Sequence, residues 1–331
     1  MRRRDFTAGL LLAAATRSAW AQVPAKQHRI AIVIPAGPVA HIDDPGSRFW
    51  RAFFGELRRL GDIEGQNLTI ERYSGEGRPE SYANLAREVV DRNPDVIVAS
   101  SDAIAQAARA ANGAVPIVWI GGDPIQAGLA ASLARPGGNV TGVTVDAGME
   151  IWGKRLQILK EVIPPASTVA FLAMRGQWEG PYGQQLREAS ERLKISLIGM
   201  PLQESTPSEY QRAFAEIVHE QPGAIIVSSR GSLSPYRQLI VELVEKSRLP
   251  AMYPNRDYVD VGGLMAYEGN LGELGRRIAD DVHQVLGGTK PGDIPIYQPT
   301  KFELIVNLKA AKALGLTIPP SLLAIADEVI E

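Results

Sequence analysis

From Arg29 onward the chain alternates short apolar runs with amphipathic stretches, and it does so twice. Arg29–Ile34 is a β-branched-rich run with the continuous hydrophobicity of a strand buried on both faces. Ser47 to Leu60 follows with helical spacing, Phe49, Phe53 and Leu57 falling on one face. Residues 67–73 read as a strand, 79–92 as a helix, 95–99 as a strand, 104–111 as a helix and 116–120 as a strand. Strict β/α alternation predicts a parallel sheet flanked by helices. The pattern restarts at Thr168–Ala173, with a helix over 183–193 and a strand over 195–200. Between 79–101 and 207–229 the two halves align without a gap and share 8 of 23 residues, among them Pro79/Pro207, Tyr82/Tyr210 and the serine pairs Ser100-Ser101/Ser228-Ser229. Matching prolines, tyrosines and serines at one offset favour a pseudo-repeat over convergence. The fold class expected is therefore α/β, with two doubly wound parallel-sheet lobes, a hinge and a cleft between them, and such clefts are preferred ligand sites.

The 331 residues are ample for two cores. A net charge of −2 supplies no basic field for nucleic acid or an anionic membrane. The absence of cysteine excludes disulfides, thiolate metal sites and a cysteine nucleophile, and also a lipid-bearing cysteine. Arg2–Arg4, the apolar stretch Thr7–Ala15 and Ala19-Trp20-Ala21 have the order of a cleavable export signal, predicting cleavage after Ala21, with Arg3-Arg4-Asp5-Phe6 fitting a twin-arginine pattern. The mature protein is expected outside the cytoplasm.

Gly121-Gly122-Asp123-Pro124, the run Gly128 to Gly142, Gly262–Tyr267, Gln298–Leu304, Asn307–Gly315 and Pro319–Leu323 together make the chain similar to one family. It resembles the ABC-transporter substrate-binding proteins that include tryptophan- and tyrosine-binding lipoproteins. The resemblance implies the type I periplasmic-binding-protein fold, with 28–145 plus about 268–296 forming the N-terminal lobe and 146–267 plus about 297–331 the C-terminal lobe. It also implies a small-molecule ligand and two partners, an ABC permease and its ATPase. Without the lipid-bearing cysteine, a freely diffusing periplasmic monomer is expected. A periplasmic sensor subunit that does not transport is the alternative.

Ligands of parallel sheets sit beyond the carboxyl ends of the strands. That rule selects Ser100, Ser101 and Asp102 after one strand and Gly122 and Asp123 after the next, with Ser229 and Arg230 in the second lobe. A helix start with hydroxyls suits a carboxylate, and Asp123 suits an amine, while capping and turn formation are the competing roles. Arg175, Gln177 and Trp178 follow Thr168–Ala173, where the arginine can fork onto a carboxylate and the indole can stack on a ring. Tyr253 and Asn255, then Tyr267 and Glu268, follow later strands as ligand, hinge or interlobe contacts. His41 lies in the first loop as a rim candidate. Asp280 and Asp281 are expected on the water face of a helix. No cofactor or metal is expected: the histidines lack metal spacing, and there is no P-loop, nucleophile elbow or dinucleotide fingerprint, so an enzyme is not expected either. The solute expected is small and polar, an amino acid or an aromatic carboxylate.

Overall fold

The computed structural model describes residues 27–43, 45, 47–145, 150–229 and 231–331. The export signal read in residues 1–21 lies outside them. Strands β1 (His28–Ile34), β2 (Leu68–Ser74), β3 (Val96–Ala99), β4 (Ile117–Gly121) and β5 (Val140–Thr144) form one sheet in the order β2-β1-β3-β4-β5. All four pairings are parallel. Helices α1 (Arg48–Leu60), α2 (Tyr82–Asp91) and α3 (Asp102–Ala111) connect them. Every residue of β3, β4 and β5 is buried, as continuous apolar runs in a sheet covered on both faces should be.

The second unit opens with α4 (Glu150–Val162) and contains β6 (Thr168–Met174), α5 (Arg175–Glu179), α6 (Pro181–Arg192), β7 (Ser196–Leu202), α7 (Pro207–Glu220) and β8 (Ala224–Val227). Then come α8 (Arg237–Lys246), β9 (Ala251–Tyr253), α9 (Arg256–Val259) and β10 (Met265–Gly269). The chain continues through α10 (Leu271–Leu286), β11 (Phe302–Asn307), α11 (Leu308–Ala313), α12 (Pro320–Ile325) and β12 (Glu328–Ile330). The order of the second sheet is β12-β11-β10-β9-β8-β6-β7. Its β7-β6-β8-β9-β10 portion repeats the order of the first sheet, and β11 joins antiparallel to β10.

The internal repeat is visible in three dimensions. β3 and β8 start and stop at the same offset of 128 residues. Tyr82 and Tyr210 are both buried on the helix preceding each strand, with Tyr82 Oη donating to Pro35 O at 3.0 Å and Tyr210 Oη donating to Ser205 Oγ at 2.7 Å, whose own proton goes to Ser232 O. Asn93 and Gln221, also equivalent, both adopt the left-handed backbone that ends a helix, at φ 54° and 50°.

α10 does not stay with the strand that precedes it. It returns to the first sheet, where Leu274, Ile278, Val282 and Val285 complete the core formed by Ile30, Phe53 and Leu57. The chain then runs beside β5, with Tyr297 N donating to Gly142 O at 2.9 Å, before crossing back as β11. Close approach of α10 to α1 depends on Gly275, because a Cβ there would lie 2.4 Å from Phe49 O. α1 itself is fixed at both ends: Ser47 Oγ accepts from Trp50 N at 3.3 Å, and Gly61 closes it at φ 92°.

One expectation is overturned in this contact. Asp281 does not face water but is 7% exposed on α10, where burial pushes its carboxyl up to about 8. The reason is the width of the apolar stripe of α10, which packs against both α1 and the sheet. Gly275→Ala is expected to destabilise the protein by about 1–3 kcal/mol through overpacking, read from chemical denaturation.

Candidate functional site

Both sheets point the carboxyl ends of their strands at one cavity between the lobes, as the topology rule demands. The first lobe supplies an apolar floor of Ile34 and Ile120 and an aromatic wall of Phe49 and Trp50, whose rings meet edge to face at 4.9 Å. Ser100, Ser101, Gly122 and His41 complete that side. The second lobe supplies Ser229, Ser234, Arg237, Asn255, Asp257 and Glu268. The lobes touch at both rims. Arg48 Nε lies 3.4 Å from Asp260 Oδ2 and 4.0 Å from Asp257 Oδ1, and Ser205 N donates to Gly77 O at 3.0 Å.

Of the residues selected from sequence, Ser100, Ser101, Gly122, Ser229 and Asn255 line this cavity together, joined by His41 and Glu268. Ser101 has a second task, accepting from Ile104 N at 3.2 Å as the cap of α3. Asp102 sits behind the lining: its Oδ1 accepts from Trp119 Nε1 and Gly122 N, both at 3.1 Å, and so holds the loop after β4 in place. Only glycine fits at 121, where a Cβ would meet Asp102 and Trp119.

The remaining candidates are placed elsewhere. Asp123 Oδ1 accepts from Ile125 N at 2.9 Å and Gln126 N at 3.0 Å, an Asx turn outside the cavity. Arg175 is exposed and paired with Glu179 at 2.8 Å within α5, an element that the sequence reading treated as loop. Gln177 is buried and accepts from Ser228 Oγ, behind the lining. Trp178 packs on the bare backbone of Gly199 in β7, with the Arg187 guanidinium 4.7 Å from its ring. Tyr253 is buried in the lobe core, stacked on Tyr258 at 5.2 Å, and Tyr267 packs on Phe302 at 5.7 Å. Arg230 lies outside the described residues.

Phe49, Trp50, Arg237 and Asp257 are lining residues that the sequence reading did not single out for the site. Phe49, read as part of the core stripe of α1 with Phe53 and Leu57, does pack against that core but is only partly buried, and it also reaches the cavity. The carboxyl-end rule, extended one helical turn past each loop, reaches all four.

The electrostatics of the second lobe's wall are unusual. Glu268 is 3% exposed, and burial pushes its carboxyl from an ordinary 4.5 up to about 8, although the Arg256 N–H that donates to Oε2 at 2.9 Å opposes the shift. Burial likewise raises Asp257 to about 6, against the opposing fields of Arg237 and Arg48. The side chain of Arg256 is turned away, pairing with Glu328 and Asp260. Buried Arg155 secures this wall from behind, donating from Nε to Tyr267 O at 2.9 Å and from Nη2 to Pro254 O at 3.1 Å, while lying 4.7 Å over Trp152. Among the described residues no group of three metal-ligating side chains occurs, and no helix is long and apolar enough to cross a membrane.

Two α/β lobes of matching order, crossed repeatedly by the chain and closed around one polar–aromatic cavity, define a solute-binding protein. Residues 51–330 match the family model for "ABC transporter substrate binding protein", and the chain belongs to that family. Its sequence is 24% identical over 268 residues to the tyrosine-binding protein of Clostridioides difficile strain R20291, covering 80% of this chain and 76% of that one. In structure it is similar to a conserved domain protein from Vibrio cholerae O1 biovar El Tor, with a TM-score of 0.80, 25% identity and coverage of 92% of this chain and 100% of that chain. It is also similar to the ABC domain from Streptococcus pneumonia in complex with L-Trp, with a TM-score of 0.78, 23% identity and the same coverage.

The raised carboxyls give the protein a definite pH dependence. Between pH 4.5 and about 8 the native state keeps a proton on Glu268 that the unfolded chain has lost, so stability falls as pH rises through that window. Asp281 acts in the same direction from 3.8 to about 8. Urea midpoints measured across this range should decline with rising pH, and Glu268→Gln or Asp281→Asn should flatten the decline.

Proposed function

We propose that this protein is the periplasmic binding component of an ABC importer, capturing a small polar solute, an amino acid or an aromatic carboxylate, and handing it to a permease driven by its ATPase. The observation that carries this reading is a cavity lined by strand ends of both lobes, with Phe49 and Trp50 on one side and Asn255, Asp257 and Glu268 on the other. The tyrosine-binding and tryptophan-bound relatives support the solute class. In this reading the N-terminal lobe is 28–145 with about 270–296 and the C-terminal lobe is 146–269 with about 297–331, the end of β10 at Gly269 setting the boundary near the 268 read from sequence. The solute enters the open cleft, contacts Ser100, Ser101 and Gly122 on one side and Ser229 and Asn255 on the other, and shifts the equilibrium toward closure because it binds the closed form better. The closed form is what the permease recognises, and the export signal ending at Ala21 delivers the chain to its compartment.

A thermal-shift screen of residues 22–331 against amino acids, aromatic acids, sugars and nucleosides tests the reading. At a hundredfold excess over Kd the solute stabilises by about 2.7 kcal/mol, which for a chain of this size raises Tm by roughly 4 °C. No shift with any small solute sinks the proposal. Closure has its own test. Arg48→Ala removes a half-exposed pair across the lobes and is expected to weaken solute binding by no more than about fivefold, the range of exposed ion pairs.

A further inference from the structure

We propose that Asn255, Asp257 and Glu268 form a receptor for a cationic nitrogen, so that the solute is an amine-bearing molecule and not an aromatic acid lacking one. The proposal rests on the binding-protein reading and decides between the two solute classes left open there.

The wall is built from acceptors. Asn255 Oδ1 and Asp257 Oδ1 are buried without a hydrogen-bond partner, and both residues line the cavity. Glu268 is tied to the same short segment, because its Oε2 accepts from Arg256 N at 2.9 Å between those two residues. Buried acceptors without donors are costly, and the cost is removed when a ligand brings the donors. An ammonium group carries three N–H donors and no acceptor, which suits three acceptor side chains on one wall. A carboxylate brought to that wall meets two acids, which repel it once ionised, and leaves the orphaned Oδ1 acceptors of Asn255 and Asp257 without a donor.

The charge balance agrees. Glu268 faces Asp257 on α9 and Glu303 on β11, which hinder its ionisation, and Arg48 on α1, which favours it. Asp257 faces Asp260, Arg48 and Arg237. Burial outweighs these fields, so the empty site holds Glu268 protonated below about 8. A bound cation stabilises the carboxylate, and the carboxyl proton leaves to solvent as the cation enters. The serines at 100, 101 and 229 and the rings of Phe49 and Trp50 remain for the rest of the solute.

Isothermal titration of the mature chain decides the matter, with L-tyrosine, L-tryptophan and phenylethylamine set against 3-(4-hydroxyphenyl)propionate and indole-3-propionate. The expected result is that an amine-bearing probe binds and its deaminated partner binds at least about tenfold more weakly. Affinity should rise by close to tenfold per pH unit as pH approaches about 8 from below, because only the ionised fraction of Glu268 binds. Buffers of different ionisation enthalpy should report release of about one proton. Glu268→Gln should lose about tenfold or more in affinity at pH 8 and abolish the proton release. The pairwise comparison in the unaltered protein stands even if the variant fails to fold. Equal binding of amine and deaminated partner, or binding without proton release, overturns the receptor while leaving the binding-protein reading in place. Binding only of a sugar or nucleoside does the same. Binding of no small solute at all overturns both.

Discussion

The packing of α10 on α1 is the contact on which the rest of the molecule depends. α10 follows the last parallel strand of one lobe, yet it fills the core of the other, and Gly275 lets its backbone approach Phe49 O closely. α1 in turn carries Phe49 and Trp50 into the cavity and Arg48 to the acids of the opposite lobe. One helix–helix contact thus sets the core of a lobe, the aromatic wall of the site and the interlobe ion pairs. Overpacking at position 275 is felt in all three, because interiors this dense transmit displacement instead of absorbing it.

The architecture of the site divides labour between the lobes. The first presents rings, hydroxyls and strand-end backbone, while the second presents buried acids braced from behind. Arg155 is the brace, holding the carbonyls of Pro254 and Tyr267, each the immediate neighbour of a cavity residue. The buried arginine fork ties the carbonyl that follows β9 to one inside the neighbouring β10. In the first lobe the carboxylate of Asp102 does the comparable job for the loop carrying Gly122.

Most of the fold was legible in the sequence, because its information is local and repeated. Continuous apolar runs marked the buried strands, and the 128-residue repeat anticipated two sheets of the same order. The site was legible to the extent that it follows from strand ends, which is why Ser100, Ser101, Gly122, Ser229 and Asn255 meet in one place. It failed where a side chain had two faces to choose from. Asp123 turned back to cap its own turn, Trp178 went to Gly199, and Tyr253 went into the core, since local hydrogen bonds and packing compete with the cavity for the same residues. Asp281 was misplaced because the apolar stripe of α10 is wide enough to bury it, a width that only the partner surfaces set.

The return of α10 also dictates the order in which this chain can become a protein. The first lobe lacks one side of its core until residues beyond Leu271 are available, and it lacks the edge contact of β5 until Tyr297 arrives. An emerging chain that has completed all five strands of the first sheet still exposes Phe53 and Leu57. Contacts of such long sequence separation form late and slowly. The two lobes are therefore not sequential folding units, and the first stays incomplete until nearly the whole chain is present.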